Sequence, residues 1–217
     1  MKAVQINSYG GNDVLEVVDV EMPTPKEDQI FVEVNAASIN TFSVKIRSGM
    51  YKDHMPLSFP ATLGGDYAGV IKSLGKGVTN FKVGDKIFGS ANVLNGGSGS
   101  YAEVSVANSA NSSNIPKSTD FLEAAALPVV GCSVVQAFEQ HIKLEKGQKI
   151  LIHGGAGGIG HLAIQLAKAL GAYIATTVYT NDVEYAKGLG ADEVIDYKKI
   201  NFDKVLKDYD VVFDMVG

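Results

Sequence analysis

The sequence predicts an α/β fold in which a β-rich domain, residues 1–118, precedes a domain of alternating strands and helices, residues 119–217. Three observations support this division. Short β-branched runs separated by Gly, Pro, Asn and Asp fill the first part. Asp120 and Glu123 then have the spacing of a helix capping box. From Lys149 onwards, apolar strand patterns alternate with amphipathic helix patterns, which is typical of a parallel sheet with right-handed crossovers.

Five apolar runs in the first domain predict short strands that form a partly closed β-barrel. Turns are predicted at residues 10–13 and 75–77, where Gly, Asn and Asp cluster. Residues 95–100 are rich in Gly and Ser, so we expect either a surface loop or a lid on the substrate side. The five runs are centred on Val4 and Ile6, on Phe31, Val32 and Val34, on Val70 and Ile71, on Ile87 and Phe88, and on Tyr101, Val104 and Val106.

The second domain is predicted to begin with helices and to continue as four strands with helices between them. Pro128 should break the first helix, and a second helix then runs towards His141. Helices over residues 159–170 and 184–189 should end at Gly171 and Gly190, because glycine readily adopts the left-handed conformation that ends many helices. The strands are predicted over residues 150–152, 173–178, 193–196 and 211–213.

The composition excludes several classes of partner. The net charge is −5 and no block of Lys and Arg stands out, so we expect neither nucleic acid nor an anionic membrane as a partner. No apolar run approaches the roughly 20 residues of a transmembrane helix, and residues 1–9 resemble a strand rather than a signal peptide. Cys132 is the only cysteine, which rules out an intrachain disulfide and predicts a cytoplasmic protein.

A glycine-rich turn is the most informative motif. Gly155, Gly157 and Gly160 satisfy G-x-G-x-x-G, directly after an apolar strand and directly before an amphipathic helix. Such a turn lets backbone N–H groups approach a pyrophosphate, which the positive end of the helix also attracts. We therefore predict a dinucleotide site, with a purely structural turn as the alternative. The predicted cofactor residues here are Gly155, Ala156, Gly157, Gly158, Ile159 and Gly160.

The end of the second strand of this domain favours NADPH over NADH. A carboxylate at this position would bind the ribose 2′-hydroxyl of NADH, but residues 176–181 contain none. The sequence thus leaves room for a 2′-phosphate. Two features oppose it: no Arg or Lys stands close by along the chain, and Asp182 could repel a phosphate.

Collinear motifs over nearly the whole chain resemble the zinc-free quinone oxidoreductase branch of the medium-chain dehydrogenase/reductase family. The resemblance implies a GroES-like substrate and catalytic domain followed by a Rossmann NAD(P)-binding domain. It also implies hydride transfer from NADPH, or from NADH, to a quinone or an α,β-unsaturated carbonyl (enone). The motifs are residues 37–40, 46–51, 63–70, 83–87, 153–160, 189–197 and 210–217.

The same resemblance assigns the site residues. Asn40 stands where zinc-dependent relatives have a Cys ligand, and Gly65 and Asp66 stand where they have a His-Glu pair, so no metal is expected. Asn40 and Tyr51 should line the substrate side, although Asn40 could instead cap a turn and Tyr51 could simply pack. The remaining assignments are Ser133 near the nicotinamide, and Thr180 and Tyr197 near the 2′-phosphate, where the family often has Lys or Arg at the position of Asn181.

The chain stops at the predicted fourth parallel strand, whereas the family continues beyond it. We therefore expect an incomplete Rossmann domain and a C-terminally truncated family member. Two functions remain open: an NAD(P)H-dependent, zinc-independent reductase, or a non-catalytic nucleotide-binding or regulatory protein. A homodimer is possible, since relatives are often dimers.

Overall fold

The computed structural model describes residues 1–216, which form two compact units, Met1–Val129 and the part of the chain from Val130 onwards. The division lies later than the predicted boundary after residue 118. A physical reason is that the helix that begins beyond 118 packs on the strands of the first unit, where Ala124 and Ala125 are buried with Ala36 and Ala68.

The first unit is built from two antiparallel sheets. A five-stranded sheet has the order β7-β3-β5-β6-β8, and a three-stranded sheet has the order β2-β1-β4. These antiparallel sheets confirm the predicted β-rich first domain. The elements are β1 (Lys2–Ile6), β2 (Glu16–Asp19), β3 (Gln29–Ala37), α1 (Thr41–Arg47), β4 (Ala61–Thr62), β5 (Asp66–Leu74), β6 (Lys86–Ser90), β7 (Val104–Asn108), β8 (Ser112–Asn114) and α2 (Phe121–Ala125).

The five predicted strand runs of this unit are confirmed except at Tyr101, and β2, β4 and β8 were not predicted. Tyr101 lies before β7 rather than in it, and its backbone bridges the carbonyl of Leu63 and the N–H of Val4. Residues 95–100 form a loop, but its second half is not on the surface, because Ser100 is 1% exposed. The backbone N–H groups of Gly99 and Ser100 donate to Ala91 and Gly64, which holds the loop against the sheets.

The second unit is a four-stranded parallel sheet of order β11-β10-β9-β12, a Rossmann-like arrangement. Its core contains Ile150, Ile152 and Ile174 from the strands and Ile164 from α4. All four predicted strands are confirmed, and Gly171 ends α4 with φ +82° as predicted. The elements are α3 (Pro128–Val135), a π-helical segment (Gln136–Ile142), β9 (Lys149–His153), α4 (Gly160–Leu170), β10 (Tyr173–Val178), α5 (Val183–Gly188), β11 (Glu193–Asp196), α6 (Phe202–Val205) and β12 (Val211–Phe213).

Both helix starts around residue 120 follow the sequence signals. Asp120 and Glu123 form the complete capping box, each side chain accepting a hydrogen bond from the backbone of the other. Pro128 separates α2 from α3 and occupies the first position of α3, where its missing N–H costs nothing. Among residues 1–216, no helix combines the length and apolarity required to cross a membrane.

Candidate functional site

The glycine-rich turn joins β9 to α4, and two of its glycines are required by close packing. Gly155 and Gly160 are buried. A Cβ on Gly155 would overlap the hydroxyl of Thr176, and a Cβ on Gly160 would overlap the carbonyl oxygen of Gly154. These two positions therefore let the end of β9, the turn and the start of α4 approach one another, as the motif requires.

Two further glycines of the turn, Gly157 and Gly158, leave its outer surface open. Gly157 and Gly158 are exposed, and a Cβ there would lie 3.2 Å and 3.8 Å from its nearest neighbour. Gly154, the residue before the motif, has a left-handed backbone conformation with φ +75°. The turn thus combines a tightly packed inner side with an unobstructed outer side beside the N-terminus of α4, which favours an anion.

A cavity of about 650 Å³ lies against this turn and the carboxyl ends of β9 and β10. This volume is within the usual range for a small-molecule site. The carboxyl ends of parallel strands are where open α/β sheets bind their ligands. The lining residues are His153, Gly154, Ala156, Gly157, Thr177, Val178, Tyr179, Asp182, Tyr197, Phe202, Asp214 and Val216.

Hydrogen bonds between β9 and β10 fix the wall of this cavity. The Thr177 hydroxyl lies 3.0 Å from His153 Nδ1 and accepts a hydrogen bond from the Gly154 N–H at 3.3 Å. The ring of His153 packs edge-on against Phe202, with 4.5 Å between the centroids. The Thr176 hydroxyl, which faces Gly155, donates to the carbonyl of Ile152 at 2.7 Å. None of these side chains was predicted from the sequence as a site residue.

The cavity brings together only some of the predicted cofactor residues. Ala156, Gly157 and Tyr197 line it, whereas Gly155 and Gly160 are on the buried inner side of the turn. The residues that do not line it are Gly158, Ile159, Thr180 and Ser133, the last of which is on α3.

Thr180 stabilises the edge of the site through Asp196. Burial raises the pKa of Asp196, but hydrogen bonds from Lys199, Thr180 and the Lys198 N–H outweigh that effect and hold the pKa below its usual value. The Asp196 carboxylate therefore stays ionised and ties the end of β11 to the segment after β10.

The sequence near residue 181 contains no Arg or Lys, but the fold places a basic residue, Lys198, near the cavity. The Lys198 Nζ lies 5.8 Å from the ring centre of Tyr179 and 5.7 Å from that of Tyr197. The lysine was missed because it is distant in sequence from the end of β10. The parallel register of β10 and β11, in which Val178 pairs with Asp196, brings it close.

In the first unit, Asn40 belongs to a partly buried hydrogen-bonded cluster around Asp66. Asn40 Nδ2 donates to Asp66 Oδ2 at 2.9 Å and to Ser38 Oγ at 3.0 Å, while Ser38 Oγ donates to the same carboxylate oxygen at 3.1 Å. The Val129 N–H adds a fourth hydrogen bond at 3.2 Å. Asn40 occupies the residue before α1 but makes no side-chain capping bond, so the capping alternative is wrong.

Asp66 is the buried acidic group at the centre of this cluster. It is 0% exposed, and within the described residues its Oδ1 has no hydrogen-bond partner. Burial raises the pKa of the Asp66 carboxyl, and the hydrogen bonds from Val129, Asn40 and Ser38 offset only part of that rise.

Tyr51 lies in the turn that follows α1 and packs beside Phe42, with 6.2 Å between the ring centres. It is half-buried, so part of the side chain faces solvent. This position is compatible with both the packing role and the substrate role that the sequence left open.

Comparisons with known proteins agree with both units. Residues 26–117 match the family described as the alcohol dehydrogenase GroES-like domain, and residues 158–217 match the family described as zinc-binding dehydrogenase. The chain is 41% identical over 204 residues to a chloroplast envelope quinone oxidoreductase homolog of Arabidopsis thaliana, which covers 91% of this chain and 61% of the relative. It is 38% identical to an NADPH-dependent alkenal/one oxidoreductase, chloroplastic, of the same plant, over 100% of this chain and 58% of the relative.

A solved structure extends the likeness to three dimensions. The Escherichia coli quinone oxidoreductase complexed with NADPH superposes with a TM-score of 0.89 at 31% identity, over 100% of this chain and 67% of that one. The chain spans about three-fifths of the length of the two curated relatives. On the strength of the paired domains, the glycine turn and these likenesses, the chain belongs to the quinone oxidoreductase group of the medium-chain dehydrogenase/reductase family.

Proposed function

We propose that this chain provides the NADPH-binding unit and substrate-contacting residues of a reductase for quinones or α,β-unsaturated carbonyls. The observation that carries the proposal is the cavity beside a glycine turn in which two buried positions exclude any side chain. The names of the relatives supply the chemistry, since one is an NADPH-dependent alkenal/one oxidoreductase and another is a quinone oxidoreductase complexed with NADPH.

The residues present suit a dinucleotide. The outer face of the turn at Ala156 and Gly157 would meet the pyrophosphate, while Tyr179 and Tyr197 would border the adenosine end. Bound NADPH, or less favourably NADH, would supply the hydride from its nicotinamide ring. The protein's part is to hold the nucleotide at the turn and to orient the acceptor.

In the first unit, we assign Asn40 and Tyr51 to the acceptor. The Asn40 amide nitrogen donates its two hydrogen bonds to Asp66 and Ser38. Its amide oxygen would therefore be the atom that accepts a hydrogen bond from the substrate. The hydroxyl of Tyr51 would donate to the carbonyl oxygen of a quinone or enone. Water would then supply the proton that completes the reduction.

The proposed reaction does not use zinc. Where zinc-dependent relatives carry Cys and His ligands, this chain has the carboxamide of Asn40 and a glycine, Gly65, with no side chain. Catalytic zinc normally requires three protein ligands from Cys, His, Asp or Glu. Asp66 alone remains at this place, and it is occupied by the hydrogen bonds from Ser38, Asn40 and Val129.

The test is calorimetric titration of the chain with NADPH and NADH, followed by turnover with a simple quinone and a simple enone. We expect NADPH to bind with a Kd of about 1–100 μM, a range typical of enzyme–ligand affinities, and turnover to accompany binding. Binding without turnover would instead favour the non-catalytic nucleotide-binding alternative. Failure of a folded chain to bind either nucleotide would overturn the proposal.

A variant pair isolates the turn. Gly157→Asp places a carboxylate on the outer face where the pyrophosphate should lie, so we expect NADPH affinity to fall at least about tenfold, or about 1.4 kcal/mol. Gly157→Ala is the matched control, because it introduces the same Cβ, 3.2 Å from its nearest neighbour, without the charge. Equal losses in both variants would mean that backbone adjustment, not the pyrophosphate, explains the effect.

We further propose that the protein is cytoplasmic, acts as a homodimer and has neither nucleic-acid nor membrane partners. Support comes from the net charge of −5, the exposed free thiol of Cys132, which suits a reducing compartment, and the frequency of dimers among family members. Multi-angle light scattering and fractionation of cells that express the tagged protein would test these points.

A further inference from the structure

Two tyrosines form a platform at the adenosine end of the proposed nucleotide site. β10 and β11 are adjacent and end in register, and the Tyr197 N–H donates to the carbonyl of Val178 at 3.2 Å. The rings of Tyr179 and Tyr197 consequently stand 6.2 Å apart, and both line the cavity. They are 44% and 51% exposed, so their faces are accessible to a ligand.

Lys198 places a positive charge over this platform. Its Nζ lies nearly equidistant from the two ring centres, at 5.8 Å from Tyr179 and 5.7 Å from Tyr197. None of the ion pairs formed among residues 1–216 includes Lys198. Its ammonium group is therefore available to an external anion.

The neighbouring lysine behaves differently. Lys199 Nζ pairs with Asp196 Oδ2 at 3.1 Å, and Asp196 also accepts a hydrogen bond from the Lys198 backbone N–H at 3.0 Å. The Asp196 carboxylate thus neutralises Lys199 and fixes the backbone of Lys198, while the Lys198 side chain remains directed to the tyrosines.

The only acidic side chain of the β10–β11 edge that lines the cavity within the described residues is Asp182. Its charge would disfavour a phosphate and would suit the free ribose hydroxyls of NADH. Without an opposing cation, this edge would therefore not favour NADPH.

We propose that Lys198 is the residue that selects the 2′-phosphate of NADPH, in place of the basic residue that is absent at Asn181. This inference rests on the proposed nucleotide function. A lysine ammonium is a compact charge on a flexible chain, so it can reach a phosphate that rests beside the two tyrosine rings. The 2′-phosphate is the only chemical difference between NADPH and NADH, so Lys198 would act on selectivity and not on nucleotide binding as such.

The experiment compares Lys198→Gln with Lys199→Gln by calorimetric titration with NADPH and with NADH. We expect Lys198→Gln to weaken NADPH binding about tenfold, as for the loss of one charge-assisted hydrogen bond, with NADH affinity within about twofold of wild type. Lys199→Gln makes the same change in net charge one residue away and should leave both affinities within about twofold. The salt dependence of NADPH binding should also become shallower only in Lys198→Gln.

The possible results distinguish a failure of the Lys198 role from a failure of the proposed function. If the wild-type chain prefers NADPH and Lys198→Gln retains that preference, the role of Lys198 is wrong and the proposed function stands. Equal losses of NADPH affinity in the two variants would also overturn it, because they would reflect net charge alone. If the folded wild-type chain binds neither nucleotide, the proposed function fails and the inference fails with it. Both lysines are exposed, so neither variant should unfold the chain.

Discussion

At the scale of single residues, Asp66 shows how hydrogen-bond donors hold a buried carboxyl group in place. Three donors, Ser38, Asn40 and Val129, converge on one of its oxygens, whereas the other oxygen has no partner within residues 1–216. An unsatisfied buried polar atom typically costs about 1–3 kcal/mol. The cluster therefore orients Asn40 at the expense of some stability.

Asp66 predicts a specific pH dependence of stability. Its folded-state pKa is raised above the usual 3.8, so its contribution is fully favourable below that pH and is lost as the pH rises through the folded-state pKa. Asp66→Asn removes the titration. We therefore expect the stability of wild type relative to Asp66→Asn, measured by urea unfolding, to decrease as the pH rises above about 4.

Ser38→Ala is the control for this measurement. It deletes one donor to Asp66 but keeps the titrating carboxyl, so its unfolding should retain the pH dependence. A constant difference between wild type and Asp66→Asn across the range would show that Asp66 is ionised to the same extent in the folded and unfolded chains.

At the scale of elements, the turn between β9 and α4 contains both closely packed glycines and glycines with open space around them. Gly155 packs against Thr176 on β10, so this contact fixes the distance between two strands as well as the path of the turn. A Cβ on Gly158 would meet only Val130, at an ordinary contact distance of 3.8 Å. Substitution by a residue with a side chain should therefore destabilise the protein more at Gly155 than at Gly158, although both belong to the same short segment.

We expect Gly155→Ala to lower the free energy of unfolding by about 1–3 kcal/mol, because the added methyl group overlaps the Thr176 hydroxyl. Gly158→Ala should change it by less than about 1 kcal/mol, as is usual for exposed sites. Urea denaturation followed by circular dichroism would measure both. Similar stabilities for the two variants would contradict the close approach of Gly155 and Thr176.

Elements with a long, regular apolar pattern could be predicted from the sequence. The strand β9, the helix α4 and the glycine Gly171 that ends it all follow from periodicity and capping rules. The short helix α1 was missed because its seven residues include Thr, Val and Ile, which favour strands.

At the scale of the whole molecule, nucleotide binding should protect several segments, which are distant from one another in sequence, from amide hydrogen exchange. We expect NADPH to slow amide hydrogen exchange in peptides that cover residues 153–160, 177–182 and 196–198, because these segments line or border one cavity. Mass spectrometry of wild type and Gly157→Asp would test this. Calorimetric binding without protection in these peptides would place the nucleotide elsewhere.

Contacts between residues that are distant in the chain could not be predicted from the sequence. The glycine turn was recognised because its residues are contiguous, whereas the pairing of Lys198 with Tyr179 depends on the register of two strands. The Asp66 cluster likewise combines residues from β5, the segment before α1 and the start of α3. Local patterns carry no information about such contacts, so the family resemblance could give positions but not hydrogen-bond partners.

The tyrosine platform has a practical consequence for optics. The chain has no tryptophan and nine tyrosines, so tyrosine emission dominates its ultraviolet fluorescence. Tyr179 and Tyr197 stand at the cavity edge, 6.2 Å apart. A reduced nicotinamide absorbs in the near-ultraviolet range where tyrosine emits, so its arrival would quench these fluorophores by energy transfer. Tyrosine fluorescence would thus report nucleotide binding at the proposed site without an attached dye.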